Sequence, residues 1–100
     1  MVSTENISEG VYIETIIEEG FYILAFNNET EKDVYCKREV GSNFIQFHFC
    51  IKGQGSFNFN DGNYLLPILE DNSLLLYNPE RDLPLNLTLA ANSWIVSVLL

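Results

Sequence analysis

The sequence predicts an all-β domain, a jelly roll or related barrel of about eight or nine short antiparallel strands. Three observations carry this. Short runs rich in aromatic and β-branched residues recur through all 100 residues, punctuated by glycine, proline and acidic turns. No stretch holds a helical period, and there is neither an internal repeat nor a low-complexity segment. With 47% hydrophobic and 13% aromatic residues, the composition suits a globular β domain rather than a disordered chain. A chain of this length makes a single domain that buries roughly 65% of its unfolded surface, enough for one core without staples.

Taken in order, residues 1–9 are polar and are expected to fray. Val11 to Glu18 and Phe21 to Phe26 read as a hairpin around Glu19-Gly20. Pairing Ile17 with Tyr22 puts Ile13, Thr15, Ile17, Leu24 and Phe26 on one face. The opposite face, with Tyr12, Ile16, Phe21 and Ile23, is also apolar, so both sides are candidates for cover, as in a sandwich or small barrel. Asn27 to Asp33 is a charged loop. Val34 to Val40 is a weaker strand with Val34, Cys36 and Val40 on one side and Tyr35 and Lys37 on the other.

The most legible stretch is Asn43 to Leu66. Asn43 to Lys52 is a strand stopped at Gly53-Gln54-Gly55, which reads as a hairpin loop pairing Lys52 with Ser56. Ser56 to Asn60 ends at Asp61-Gly62, a favoured two-residue turn that pairs Asn60 with Asn63. This register gathers Phe49, Ile51, Phe57, Phe59, Tyr64 and Leu66 on an apolar face. It leaves Gln46, His48, Cys50, Asn58 and Asn60 on a mixed polar face, where a site is to be sought.

Pro67 suits an edge or a bend better than a sheet centre. After a polar turn at Glu70-Asp71-Asn72, Ser73 to Asn78 reads as a short buried strand that stops at Pro79. In Pro84 to Ala90, Leu85, Leu87 and Leu89 alternate with Asn86 and Thr88. Ser93 to Leu100 is apolar on both faces and reads as an edge strand that a partner, or further chain, could complete. Ending within a strand, the chain also reads as one domain of a longer protein.

Charge narrows the function classes. Fourteen acidic residues against five basic ones and one histidine give a formal charge of −9. Such a surface repels phosphate backbones and anionic membranes, and its ordinary role is solubility. The amino end lacks the basic and apolar segments of a secretory signal, and no apolar run is long enough to span a bilayer, so cytoplasmic residence is the default. Cys36 and Cys50 lie in predicted strands without metal-type spacing and read as reduced, packed thiols.

The glycine hairpin and the later strand carry a resemblance. With FIQFHFCIKGQG at 44–55, FNFNDGNY at 57–64, NSLLLYNP at 72–79 and LPLNLTLAANSWIVSVLL at 83–100, the chain resembles the N-terminal cupin domain of bacterial AraC-family transcription regulators. The resemblance implies a cupin-like jelly roll, or double-stranded β-barrel. It also implies a non-catalytic sensory or dimerisation role, a small-molecule effector or a second copy as partner, and DNA contact only through a helix-turn-helix domain beyond residue 100. Catalytic cupins hold a metal with two motifs, and this sequence departs from both. The glutamate position counted back from Gly53 falls on Gln46, and the two preceding histidines would fall near Glu39 to Ser42. Pro79 matches the second motif's proline, but Ser73 stands where glycine is common and the expected histidine is Pro84. No metal or other cofactor is therefore expected, and His48 is not a ligand by resemblance.

That leaves Gln46, His48, Cys50, Asn58 and Asn60 as ligand-pocket candidates and no catalytic set. A satisfied core or surface histidine is the commoner reading of His48, which stays as a pocket candidate only, and the amides also read as ordinary outward polar residues. Trp94, the sole tryptophan, is expected to pack on the core. Cys50 lies on the same face as His48, roughly 7 Å along the strand and beyond direct hydrogen-bond reach, which makes a poor nucleophile and base pair. The carboxylates at Glu70-Asp71 and at Glu80 and Asp82 fall in turns. Two alternatives stand beside the regulatory reading: a free-standing cupin enzyme with an atypical site, and a purely structural dimerisation module with a filled barrel.

Overall fold

The computed structural model describes the backbone of residues 2–7, 10–59 and 64–100, and the side chains of 12–59 and 64–100. Among the described residues ten strands follow one another: β1 (Val2–Ile7), β2 (Gly10–Glu18), β3 (Phe21–Asn28), β4 (Val34–Arg38), β5 (Gln46–Lys52), β6 (Gln54–Phe59), β7 (Tyr64–Leu69), β8 (Ser73–Leu76), β9 (Leu85–Leu89) and β10 (Ser93–Leu99). They form two antiparallel sheets, a large one in the order β1-β2-β3-β10-β5-β8 and a small one in the order β4-β9-β6-β7. The all-β jelly roll is as expected, with one strand more than nine. The addition is β1, where Val2 pairs with Thr15 and Ile7 with Gly10, so the expected fraying does not hold over Val2–Ile7.

The core lies between the sheets. Leu24, Phe26, Ile95 and Leu99 of the large sheet meet Cys36, Phe57, Ile68, Leu85, Leu87 and Leu89 of the small one, all fully buried. Alternation in β4 and β9 works as read from the sequence, with Val34, Cys36 and the three leucines of β9 inward; β4 ends at Arg38 rather than Val40, which is buried just beyond it. Pro67 lies in β7, an edge strand, where its missing N–H is tolerated. Both cysteines are free and buried, and burial pushes the Cys36 thiol up to about 11.

The β2–β3 register differs from expectation by one residue. Tyr22 pairs with Ile16, not Ile17, because Ile17 is absorbed in a bulge between the Ile16 and Glu18 pairings. A one-residue slip exchanges the faces, so Tyr12 rather than Ile13 shares the buried side with Leu24 and Phe26, its ring 5.1 Å from that of Phe26.

The larger correction concerns Gly53. β5 does not pair with β6: it lies between β10 and β8 in the large sheet, whereas β6 lies between β9 and β7 in the small one. Gly53, with φ +76°, is the corner where the chain passes from one sheet to the other, and its N–H is held by Glu70 Oε1 at 2.9 Å. The presumed Lys52–Ser56 hairpin is thus absent. The β6–β7 register does follow the sequence reading, with Asn58 opposite Leu65 and Phe57 opposite Leu66. The Asp61-Gly62 turn itself lies outside the described residues.

Three further expectations fail through topology. β10 is central, paired with both β3 and β5, and is no edge. β8 is an edge strand with Leu75 67% exposed, not a buried one. Trp94 faces outward, 39% exposed, rather than onto the core.

Two polar ties fasten the layers. Arg38 of the small sheet forks onto Glu14 of the large one, Nε to Oε1 at 2.6 Å and a terminal nitrogen to Oε2 at 2.9 Å, with the guanidinium over the Tyr22 ring. Replacing Arg38 by Met is expected to lower stability by about 1–2 kcal/mol in urea unfolding, and adding Glu14→Gln to that variant should cost little more. Asn28, buried at the end of β3, donates to the carbonyls of Lys32 at 2.7 Å and Ala90 at 2.9 Å and accepts from Thr30, which gives the charged loop a fixed path.

Candidate functional site

On β5 the polar face, not the apolar one, points into the barrel. Gln46, His48 and Cys50 are buried, while Phe47, Phe49 and Ile51 face out. The His48 ring lies against Phe57 of the opposite sheet, centroids 4.3 Å apart, which fills the space between the sheets at this level.

Inside, the polar atoms form a closed hydrogen-bond chain. The Gln46 amide nitrogen donates to the Leu83 carbonyl at 2.6 Å, so its oxygen is the atom facing His48 Nε2 at 3.0 Å. An amide oxygen only accepts, so Nε2 carries the proton and Nδ1 is bare. The Ser97 hydroxyl, 2.5 Å from Nδ1, is then the donor. Burial pushes the His48 pKa down to about 4, which keeps this neutral tautomer at neutral pH. Both ring nitrogens are thereby committed.

Ser97 and Leu83 were not among the sequence candidates. The signal for Ser97 was a lone hydroxyl between Ile95 and Leu99 on the inward register of an apolar strand. Leu83 acts through its backbone and had no side-chain signal. Of the sequence candidates, the fold brings together Gln46 and His48, and places Cys50 beyond them, its thiol directed at the Lys52 and Gly53 carbonyls. Asn58 belongs to the other sheet and faces away from Phe57. Its carbonyl accepts from Asn86 Nδ2 at 3.4 Å, and the Oδ1 atoms of both asparagines are buried without a partner among the described residues. Asn60 lies outside the described residues. The expected meeting of Cys50 with Asn58 is therefore corrected, since those strands lie in different sheets.

An open groove of about 580 Å³ lies beside this interior, lined by Phe59, Tyr64, Arg81, Asp82, Leu83 and Asn86 among others. Leu83 joins the two features: it lines the groove, and its carbonyl ends the interior chain. Asp82 is engaged at the rim, accepting from Ser42 N at 2.9 Å.

Solved structures share this architecture. A cupin superfamily protein from Desulfitobacterium hafniense aligns with a TM-score of 0.66 at 10% identity, over 96% of this chain and 82% of that one. An RmlC-like cupin from Desulfovibrio desulfuricans aligns at 0.62 and 15% identity, over 90% and 80%. The fold is that of the cupins. Hydroxypropylphosphonic acid epoxidase from S. wedmorenis, solved with fosfomycin, aligns at 0.63 and 11% identity, over 97% of this chain and 54% of the enzyme. Cupin neighbours thus include enzymes. No family model matches the sequence, and no curated protein matches it. Among the described residues no helix is long and apolar enough to cross a membrane.

A catalytic cupin metal does not fit the residues this chain supplies. An amide stands at the position the sequence reading assigned to the acidic ligand, and both nitrogens of the sole imidazole are hydrogen-bonded. No three His, Cys, Asp or Glu side chains gather as a donor set among the described residues.

Proposed function

We propose that this chain is a non-catalytic cupin domain that works by binding, as the sensory or dimerisation module of an AraC-type bacterial transcription regulator. One observation supports the non-catalytic part: the Ser97–His48–Gln46–Leu83 chain commits both nitrogens of the sole imidazole to structural hydrogen bonds. A group fully occupied by structural hydrogen bonds is a poor base, nucleophile or ligand unless the chain is broken first.

A small effector has its best seat in the groove under Arg81, not on the β5 face named by the sequence. Arg81 offers a planar fork for a carboxylate or phosphate, and Phe59 and Tyr64 offer apolar walls beside the Asn86 amide. DNA contact would come from a separate basic domain, in keeping with the acidic charge here.

The test combines metal analysis with ligand screening. Protein purified from metal-supplemented culture is expected to hold transition metal well below one equivalent. A stoichiometric metal would overturn the reading in favour of the enzyme. In thermal-shift screens of small carboxylates and sugar phosphates, a true effector raises the midpoint with concentration, and Arg81→Ala abolishes that rise. Shifts that survive Arg81→Ala would remove the groove from the proposal.

A further inference from the structure

We propose that the outer face of the large sheet is a homodimer interface, on which a second copy of this chain packs face to face. A second copy would then be the partner of the binding domain described above, and the surface rests on that reading only for its role.

The face is defined by register. One row across five strands reads Thr15, Ile23, Val98, Phe47, Leu75, and the next reads Ile13, Ala25, Val96, Phe49, Ser73. Neither row contains a charge, in a chain that carries 14 acidic and 5 basic residues. Ile13, Phe47, Phe49, Leu75 and Trp94 are each between 36% and 67% exposed. Five strands ~4.8 Å apart and two rows of outward side chains ~6.8 Å apart make a continuous patch of about 330 Å², or about 490 Å² with the row of Trp94. That is the size of the largest apolar patch on a typical monomer, ~300–600 Å², which is often an interaction surface.

Area and charge select the occupant. Standard interfaces bury about 800 Å² per partner, and this patch supplies about half of that as the apolar centre that such interfaces surround with a polar rim. The two rows offer no charge to match on a polar partner and complement themselves about a two-fold axis, while Lys52, paired with Trp94, and Glu29 stand at the rim beyond them. Two chains of charge −9 repel each other elsewhere, so an uncharged face is where they can approach. Face-to-face packing of twisted sheets, as between the two layers within the domain, supplies the geometry.

Trp94, the only tryptophan, lies on this face and reports on it without mutation. Sedimentation of the chain between about 1 and 100 μM is expected to show a monomer–dimer equilibrium, with Trp94 emission shifting to the red on dilution at the same midpoint. Raising the salt concentration should tighten the dimer by screening the acidic rims. Phe49→Lys and Leu75→Lys, both outside the core, should weaken it by roughly 100-fold or more. Leu65→Lys, at a 62% exposed position on the small sheet, should leave it unchanged.

A strict monomer at the upper concentration would overturn the interface, as would a dimer whose Trp94 emission ignores dilution. Association that weakens with salt, or that Leu65→Lys damages as much as Phe49→Lys, would also overturn it. The Trp94 result stands alone if a lysine variant fails to fold. A metal-free monomer would sink the interface and spare the non-catalytic reading, whereas a dimer holding stoichiometric metal would do the reverse.

Discussion

Taking the protein from pH 7.5 to pH 4 is expected to remove about 3 kcal/mol of stability through His48 alone. Burial lowers its pKa from 6.5 in the unfolded chain to about 4 in the fold. Between those values the unfolded state holds the proton that the folded state refuses, so stability falls as the pH falls through 6.5 towards 4 and the loss levels off below. Above about 6.5 the group is neutral in both states and contributes no pH dependence. The cause is local. The ring is enclosed by Phe57, Gln46 and Ser97, and none of these can stabilise an imidazolium with a charge. Denaturant unfolding of wild type and His48→Gln across this range separates His48 from the many carboxylates, which titrate in both proteins. Parallel stability profiles for the two would refute the assignment.

Gly53→Ala is expected to cost about 3 kcal/mol, against about 1 kcal/mol for Gly20→Ala, although both glycines have positive φ. At Gly20, with φ +82°, an added Cβ meets nothing within 4 Å, so only the backbone penalty applies. At Gly53 a Cβ would overlap Ser93 Oγ and come within 2.8 Å of Ser93 Cβ and 3.0 Å of its Cα. Ser93 cannot give way freely, because its hydroxyl accepts from Gln54 N at 3.0 Å and donates to the Ala91 carbonyl at 3.1 Å. The substitution therefore strains the corner that passes the chain between sheets. Urea midpoints of the two variants decide the matter, and equal losses would mean that the crowding at Gly53 is relieved by movement.

Much of the fold was legible because strand alternation and turn chemistry are local. The three inward leucines of β9, the inward Val34 and Cys36 of β4, the edge position of Pro67 and the β6–β7 register all follow from residues within a few positions of one another. The failures share one cause. In β5 and β10 both faces carry residues able to be buried, so period-two alternation separates the faces without saying which one turns inward. A glycine of positive φ between two apolar runs serves a hairpin and a crossing between sheets equally well, and the simpler reading was wrong at Gly53. At the candidate site, Gln46 and His48 were visible as a pair, but their partners Ser97 and Leu83 lie far along the chain.

By itself the sequence determined an all-β domain, the places where the chain turns, an acidic surface and the lack of the histidine and carboxylate spacing that a cupin metal needs. Those are properties of neighbouring residues and of composition. Only the tertiary structure decided that Gln46 and His48 are interior, that Ser97 closes their hydrogen-bond chain, and that Phe47, Phe49 and Trp94 stand outside. Which face of a strand is buried depends on which strands lie beside and across from it. Here that choice puts a satisfied polar chain in the barrel and an uncharged apolar sheet on the surface.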